Sequence, residues 1–273
     1  MSQLAFSGAP GSAGPILAAV LAAAERDPRL VGVIVTGSAA TGTMDEFSDV
    51  DLVIVCRDGD EEDLVREAPR FAAGLGPLLA CFTGEHVGEP RLLISLYGPP
   101  LLHVDLKFVA DADLDLRVED GVVLWQRERA LDAALARAPA AWPPPDPQWI
   151  EDRFWIWIHY AAAKVGRGEL LECLDMLAFV RATVLGPLIA VARGHRAAGV
   201  RRLERIAPDL LPELHATVAE PTPRGCLEAL QAAVSLYRGL RRDDPAVARR
   251  GDAEDASVAY LAALAERASG PGA

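Results

Sequence analysis

Apolar residues change their spacing several times along the first 141 positions, and each change marks a different element. Over residues 15–29, Ile16, Val20, Leu21 and Ala24 recur at helical intervals and predict a first helix. Residues 30–36 form a compact apolar run rich in β-branched side chains, the mark of a buried strand. Gly37-Ser38-Ala39-Ala40-Thr41-Gly42 breaks that run and predicts a turn or short helix. A second strand is expected over 50–55, and a helix over 61–75 whose opening acids suit a helix N-terminus. Further strands are expected at 78–82, 91–97, 101–109 and 122–125, with Gly98-Pro99-Pro100 turning the chain between two of them.

The pattern then changes for good. Trp142-Pro143-Pro144-Pro145-Asp146-Pro147 is too dense in proline for a helix or a central strand and reads as a linker. Beyond it every periodic stretch is helical: 148–165, 169–193, 199–207, 223–241 and 253–267, with prolines at 187, 208, 212, 221 and 245 marking kinks or ends. No internal repeat is visible. The expectation is therefore an α+β chain: a mixed sheet with flanking helices over 1–141, a proline-rich linker over 142–148, and an all-α bundle over 149–273.

Composition narrows the classes. With 51% hydrophobic and 24% charged residues, 273 in all, the chain has the make-up of a soluble globular protein. No stretch approaches ~20 uninterrupted apolar residues, and residues 1–15 lack the basic region and apolar core of a secretory signal. Cys56, Cys81, Cys173 and Cys226 are far apart and in apolar contexts, which predicts buried free thiols and fits a reducing cytoplasm. The five histidines are equally scattered and give zinc no support. The net charge of -12 is uneven: 22 acidic against 11 basic residues over 1–140, and 17 against 16 over 141–273. An acidic N-terminal half repels a long nucleic acid and attracts divalent metals or a cationic small molecule.

The chemistry concentrates at three places. Gly37 and Ser38 follow a buried strand, where glycine permits close backbone approach to a ligand and amides at a helix start donate to phosphate oxygens. Asp49 and Asp51, at i and i+2 in Ser48-Asp49-Val50-Asp51-Leu52, are expected to project from one strand face, with Val50 and Leu52 inward. Like charges so close call for a cation between them. Asp105 repeats the pattern in His103-Val104-Asp105-Leu106-Lys107. If its strand lies beside 50–55, three carboxylates converge, a set suited to two magnesium ions about 3.5–4 Å apart. Singly, each residue has a bland reading in turn chemistry, strand capping or solvation; their order along the chain carries the functional one.

That order, Gly-Ser, ten residues, Asp-x-Asp and a later lone Asp on a strand, resembles the DNA polymerase β-type nucleotidyltransferase superfamily over about residues 31–109. The resemblance implies a nucleotidyltransferase-type sheet in which Asp49 and Asp51 bind metal and Gly37 and Ser38 hold a nucleoside triphosphate. Asp105 would complete the site as a metal ligand or as the base for an acceptor hydroxyl. The helical half adds a second likeness. Arg153, Trp157, Tyr160, Lys164 and Arg167 fall on one helix face, opposite Phe154, Ile158, Ala161 and Val165. This segment, running on through Gly168-Glu169, Leu174-Asp175 and Phe179-x-Arg181, is similar to the helical domain of antibiotic nucleotidyltransferases acting on aminoglycosides or lincosamides. Lys164 as a phosphate contact and Tyr160 as a base or acceptor contact are the candidates there, set against a plainly solvated face. Glu169, Glu172 and Asp175 fit a cationic drug or, more simply, the helix dipole. Arg193, Arg196, Arg201, Arg202 and Arg205 form a local basic cluster whose first reading is solvation.

The implied activity is magnesium-dependent transfer of a nucleoside monophosphate, AMP from ATP or its counterpart from another triphosphate, onto a hydroxyl of a small molecule. No membrane or long nucleic acid partner is expected, and an oligomer stays open. The alternatives are an antitoxin-like binding protein acting with a helical partner, an RNA-tailing enzyme, which the acidity disfavours, and a degenerate fold, which intact carboxylates disfavour.

Overall fold

The computed structural model describes residues 13–241 and 245–268, and it divides into two compact units, Met1–Trp142 and Pro143–Ala273. In the first, α1 (Ala13–Arg26) leads to β1 (Leu30–Val35), the short α2 (Gly37–Thr41), β2 (Val50–Cys56) and α3 (Glu61–Ala73). Then follow β3 (Leu78–Gly84), β4 (Glu89–Tyr97), β5 (Leu102–Ala110), β6 (Val122–Gln126) and α4 (Ala130–Arg137). The six strands form one mixed sheet in the order β3-β4-β5-β2-β1-β6, with β2 and β5 parallel and every other neighbour antiparallel.

Alternation along the two central strands gives the sheet two unlike faces. Leu52 and Ile54 on β2, with Val104, Leu106 and Phe108 on β5, are buried and pack with Ile16, Leu17 and Val20 of α1 and Leu64 and Ala68 of α3. Tyr97 hydroxyl donates to the Ala72 carbonyl at 2.9 Å, which ties α3 to β4. The residues between, Asp51 and Val53 on β2 and His103, Asp105 and Lys107 on β5, face the other way and are half-buried or exposed. Only part of that second face is covered. Leu131 and Ala134 of α4 and Leu114 of a 3-10 turn (Asp111–Leu116) pack on Val31, Ile34, Val55 and Val109. Gly32 makes this possible, because a Cβ there would overlap the Leu131 side chain.

Among the described residues the second unit is helical: α5 (Pro147–Gly166), α6 (Leu170–Val180), a π-turn (Arg181–Leu185), α7 (Gly186–Ala192), α8 (Leu203–Ile206), α9 (Leu211–Ala216), α10 (Pro223–Leu240) and α11 (Gly251–Ala268). The Asp146 carboxylate accepts from the backbone N–H of Gln148 and of Trp149 at 2.9 and 3.1 Å, capping α5. Pro147 therefore belongs to the first helical turn, where its missing N–H costs nothing. Buried Glu151 ties three helices together: it accepts from Tyr237 hydroxyl at 2.6 Å, from Arg250 N–H at 3.0 Å and from the Trp155 indole at 3.3 Å, with Arg241 at 3.3 Å.

Two expectations change. Residues 199–207 are helical only at Leu203–Ile206, because Gly199 (φ 62°) and Arg202 (φ 59°) both adopt left-handed backbone. And one helical run, Leu170–Ala192, is long and apolar enough by length and composition to cross a membrane, although Glu172, Asp175 and Arg181 interrupt it. Of its most apolar window 44% is buried in this unit, where Cys173, Leu177, Val180, Val184 and Ile189 join the bundle core. All four cysteines are free thiols, with Cys56, Cys173 and Cys226 buried and Cys81 half-buried; burial pushes the Cys56 and Cys173 thiols up to about 12.

Candidate active site

The parallel pairing of β2 with β5 sets Asp51 directly opposite Asp105. Paired residues share a face, so both carboxylates stand on the incompletely covered side of the sheet. Asp49 lies one residue ahead of β2, outside its paired register. Among the described residues no three His, Cys, Asp or Glu side chains are gathered closely enough to hold a metal ion by themselves. Strand register therefore brings Asp51 and Asp105 together, and Asp49 precedes β2 by one residue. Such a pair still suits magnesium, which is usually held by one or two carboxylates completed by substrate phosphates and water.

Gly37 is where the backbone comes closest to this pair. It has φ 62°, and a Cβ there would overlap Asp51 Oδ2 and lie 3.2 Å from Asp51 Cγ. The neighbouring Thr36 N–H donates to the Asp51 carbonyl at 3.0 Å, so the turn after β1 is laced to the strand bearing the carboxylate. Ser38 is 8% exposed, and its Oγ has no hydrogen-bond partner among the described residues. A buried hydroxyl left unpaired is costly, and a phosphate oxygen is one group that would satisfy it. Gly37, Ser38 and Asp51 therefore form one local cluster, with Asp105 alongside.

Sequence reasoning passed over several neighbours. His103 Nε2 lies 2.8 Å from Asp105 Oδ1; its signal in the sequence is the i−2 position, which places both side chains on one strand face. Past the carboxylates is a cavity of about 250 Å³ bounded by Thr36, Asp51, Asp105, Lys107, Arg91 and Leu116, among others. Its charges are largely neutralised internally. Arg91 reaches Glu89 at 2.8 Å, Asp113 at 3.0 Å and Glu61 at 3.5 Å, and Lys107 reaches Glu89 at 2.6 Å. The Arg91 guanidinium, aided by Lys107 and opposed by desolvation, holds the Glu89 carboxyl down at about 2.

Tyr160 and Lys164 belong to the helical unit, and there both engage α6 or the residue before it. Tyr160 hydroxyl donates to Glu172, while Lys164 Nζ lies 2.7 Å from Glu169 and 3.1 Å from Glu172. These carboxylates, Glu169 first, push the lysine pKa up. Glu169 and Glu172 are thus more than solvated acids at a helix start. Trp157 packs edge-on to Phe179 at 5.0 Å and near Trp149 at 5.4 Å. In the basic cluster, Arg193 pairs with Asp209.

Residues 19–86 match the family model described as a nucleotidyltransferase domain. The match takes in Gly37, Ser38, Asp49 and Asp51, whereas Asp105 lies outside it and joins them through strand register. No curated protein matches the chain. Among solved structures, an aminoglycoside 6-adenyltransferase from Bacillus subtilis aligns over 93% of this chain and 95% of its own, at 15% identity and a TM-score of 0.36. A nucleotidyltransferase-like protein from Exiguobacterium sibiricum 255-15 aligns over 84% and 75%, at 13% identity and a TM-score of 0.35.

Proposed function

We propose that the protein is a cytoplasmic, magnesium-dependent nucleotidyltransferase that moves a nucleoside monophosphate, AMP from ATP, onto a hydroxyl of a small molecule. The observation that carries this reading is the conjunction at one spot of a left-handed Gly37 against Asp51, an unpartnered buried Ser38 hydroxyl, and Asp105 in register with Asp51. Asp51 and Asp105, with Asp49 one residue ahead of β2, would hold magnesium together with the triphosphate, and the metal would supply charge neutralisation for the pyrophosphate. Ser38 and the turn amides orient the phosphates, and Asp105, buttressed by His103, helps take the acceptor proton. The cavity of about 250 Å³ is smaller than the roughly 300–1,000 Å³ of a drug-sized site, so it would receive part of a substrate only. The sequence resemblance suggests an aminoglycoside or lincosamide acceptor.

The test is calorimetric titration of the full chain with MgATP and with the unreactive analogue α,β-methylene-ATP, comparing wild type, Asp51→Asn and Asp105→Asn. Binding that needs magnesium and weakens at least tenfold in Asp51→Asn is expected. Unchanged metal-dependent affinity in both variants would overturn the assignment.

A further inference from the structure

On the open face of the sheet the carboxylates stand in a single cross-strand row. Asp51 on β2 is opposite Asp105 on β5, Asp105 is opposite Ile94 on β4, and Ile94 is opposite Phe82 on β3. The adjoining row is His103, Leu96 and Ala80. Since paired residues share a face, Ile94, Leu96, Phe82 and Ala80 make an apolar shelf level with the carboxylates and beginning at Asp105. Little covers it: Ile94 is half-buried, Leu96 is 38% exposed and Phe82 is 55% exposed. The Phe82 ring lies 5.5 Å from that of His86 at the far end. No acid stands among the shelf residues, and on the cavity side Glu89 and Asp113 are already paired with Lys107 and Arg91.

In-line displacement at phosphorus requires the entering oxygen and the leaving oxygen on opposite sides. On the nucleotidyltransferase reading Gly37, packed against Asp51, and the buried Ser38 hydroxyl would place the donor triphosphate on the β1–β2 side of the carboxylate pair. The acceptor must then come from the β5–β4 side, across the shelf. We propose that Ile94, Leu96, Phe82 and Ala80 form the acceptor subsite, and that it takes a small hydroxyl compound with an alkyl or aryl body in preference to a polycation. This rests on the nucleotidyltransferase reading above. The acceptor oxygen attacks the α-phosphorus and forms a new O–P bond. The bond from that phosphorus to the bridging oxygen breaks, pyrophosphate leaves with its electron pair, and the hydroxyl proton passes to the Asp105 carboxylate. An alkyl or aryl body gains from covering exposed Leu96 and Phe82 at about 25 cal/mol per Å². An ammonium group over Leu96 and Phe82 would lose water and meet a counter-charge only at the Asp105 end of the shelf.

The experiment uses the full chain saturated with magnesium and α,β-methylene-ATP, titrated calorimetrically with lincomycin, chloramphenicol and kanamycin. Lincomycin and chloramphenicol carry hydroxyls on alkyl or aryl bodies, and kanamycin is a polycation. At least one of the first two is expected to bind at least tenfold more tightly than kanamycin. That binding should weaken at least fivefold in Phe82→Ser/Leu96→Ser, whose positions are exposed, while affinity for the nucleotide analogue stays within twofold. Tighter binding of kanamycin, insensitivity to the double substitution, or failure of both apolar-bodied compounds on nucleotide-loaded protein overturns the acceptor proposal and leaves the donor site standing. Failure to bind the nucleotide at all overturns both.

Discussion

Replacing Gly37 and Gly42 by alanine separates two effects that coincide at the candidate site. Both glycines are left-handed, with φ 62° and 67°, so each alanine variant carries the same backbone penalty, about 1–2 kcal/mol. A reduced entropy of the unfolded chain offsets roughly 0.4–1 kcal/mol of it. At Gly42 nothing lies within 4 Å of an added Cβ, and the account ends near 1 kcal/mol of destabilisation. At Gly37 the new Cβ overlaps Asp51 Oδ2, so Asp51 must leave its rotamer for a further cost of about 0.5–1.5 kcal/mol, or the turn must move. Thermal denaturation should show Gly42→Ala lowered by about 3 °C and Gly37→Ala by roughly twice that. The functional difference should be larger. Magnesium with α,β-methylene-ATP at 100 times its Kd stabilises a binding-competent protein by about 2.7 kcal/mol. Wild type and Gly42→Ala should show that upward shift, and Gly37→Ala should lose most of it. Equal melting losses, together with equal nucleotide shifts, in the two variants would refute the idea that Gly37 exists to admit the Asp51 carboxylate.

The acid limb of stability should follow Glu89. Its folded-state pKa of about 2 lies below the ordinary carboxylate value, so its stabilising contribution is complete above about pH 5 and disappears as pH falls toward 2. Glu89→Gln should flatten that part of the stability–pH curve by up to about 3 kcal/mol in denaturant titrations, and an unaltered curve would refute it. Glu151→Ala should destabilise the helical unit by about 3–5 kcal/mol, because Arg241 and Tyr237 lose the buried carboxylate they share; a loss under 1 kcal/mol in denaturant melts would contradict that role. Gly32→Ala should cost about 1–3 kcal/mol by driving α4 off β1, and protection of α4 amides from hydrogen exchange should fall with it. Undiminished protection would show that the helix has room to spare.

Much of this architecture is written in local patterns. The alternation around Asp51 and Asp105 announced half-buried strands with outward carboxylates, and proline density marked where the pattern turned from mixed to helical. Strand order was not legible, since β2 and β5 meet through tertiary packing, and the shelf beside Asp105 depends on that order. Segment 199–207 misled because its apolar spacing is helical, while left-handed backbone at Gly199 and Arg202 confines the helix to Leu203–Ile206. The short α4 and α9 were missed; eight and six residues are too few for periodicity to declare itself, and Pro212 obscures the second. Glu151 gave no sign of burial, because a single acid on an apolar stripe acquires meaning only when Tyr237 and Arg241 arrive from 86 and 90 residues away.

The parallel contact between β2 and β5 also has a kinetic meaning. Between Asp51 and Asp105 the chain makes α3, β3 and β4 before it returns. Closing so long a loop is entropically unfavourable until those pieces have docked, so the carboxylate pair belongs to the late, non-local contacts of folding. A nascent or truncated chain ending near residue 86 would carry Gly37, Ser38 and Asp51 yet lack Asp105 altogether. A nucleotide site that needs both carboxylates is thereby withheld until β5 has joined β2.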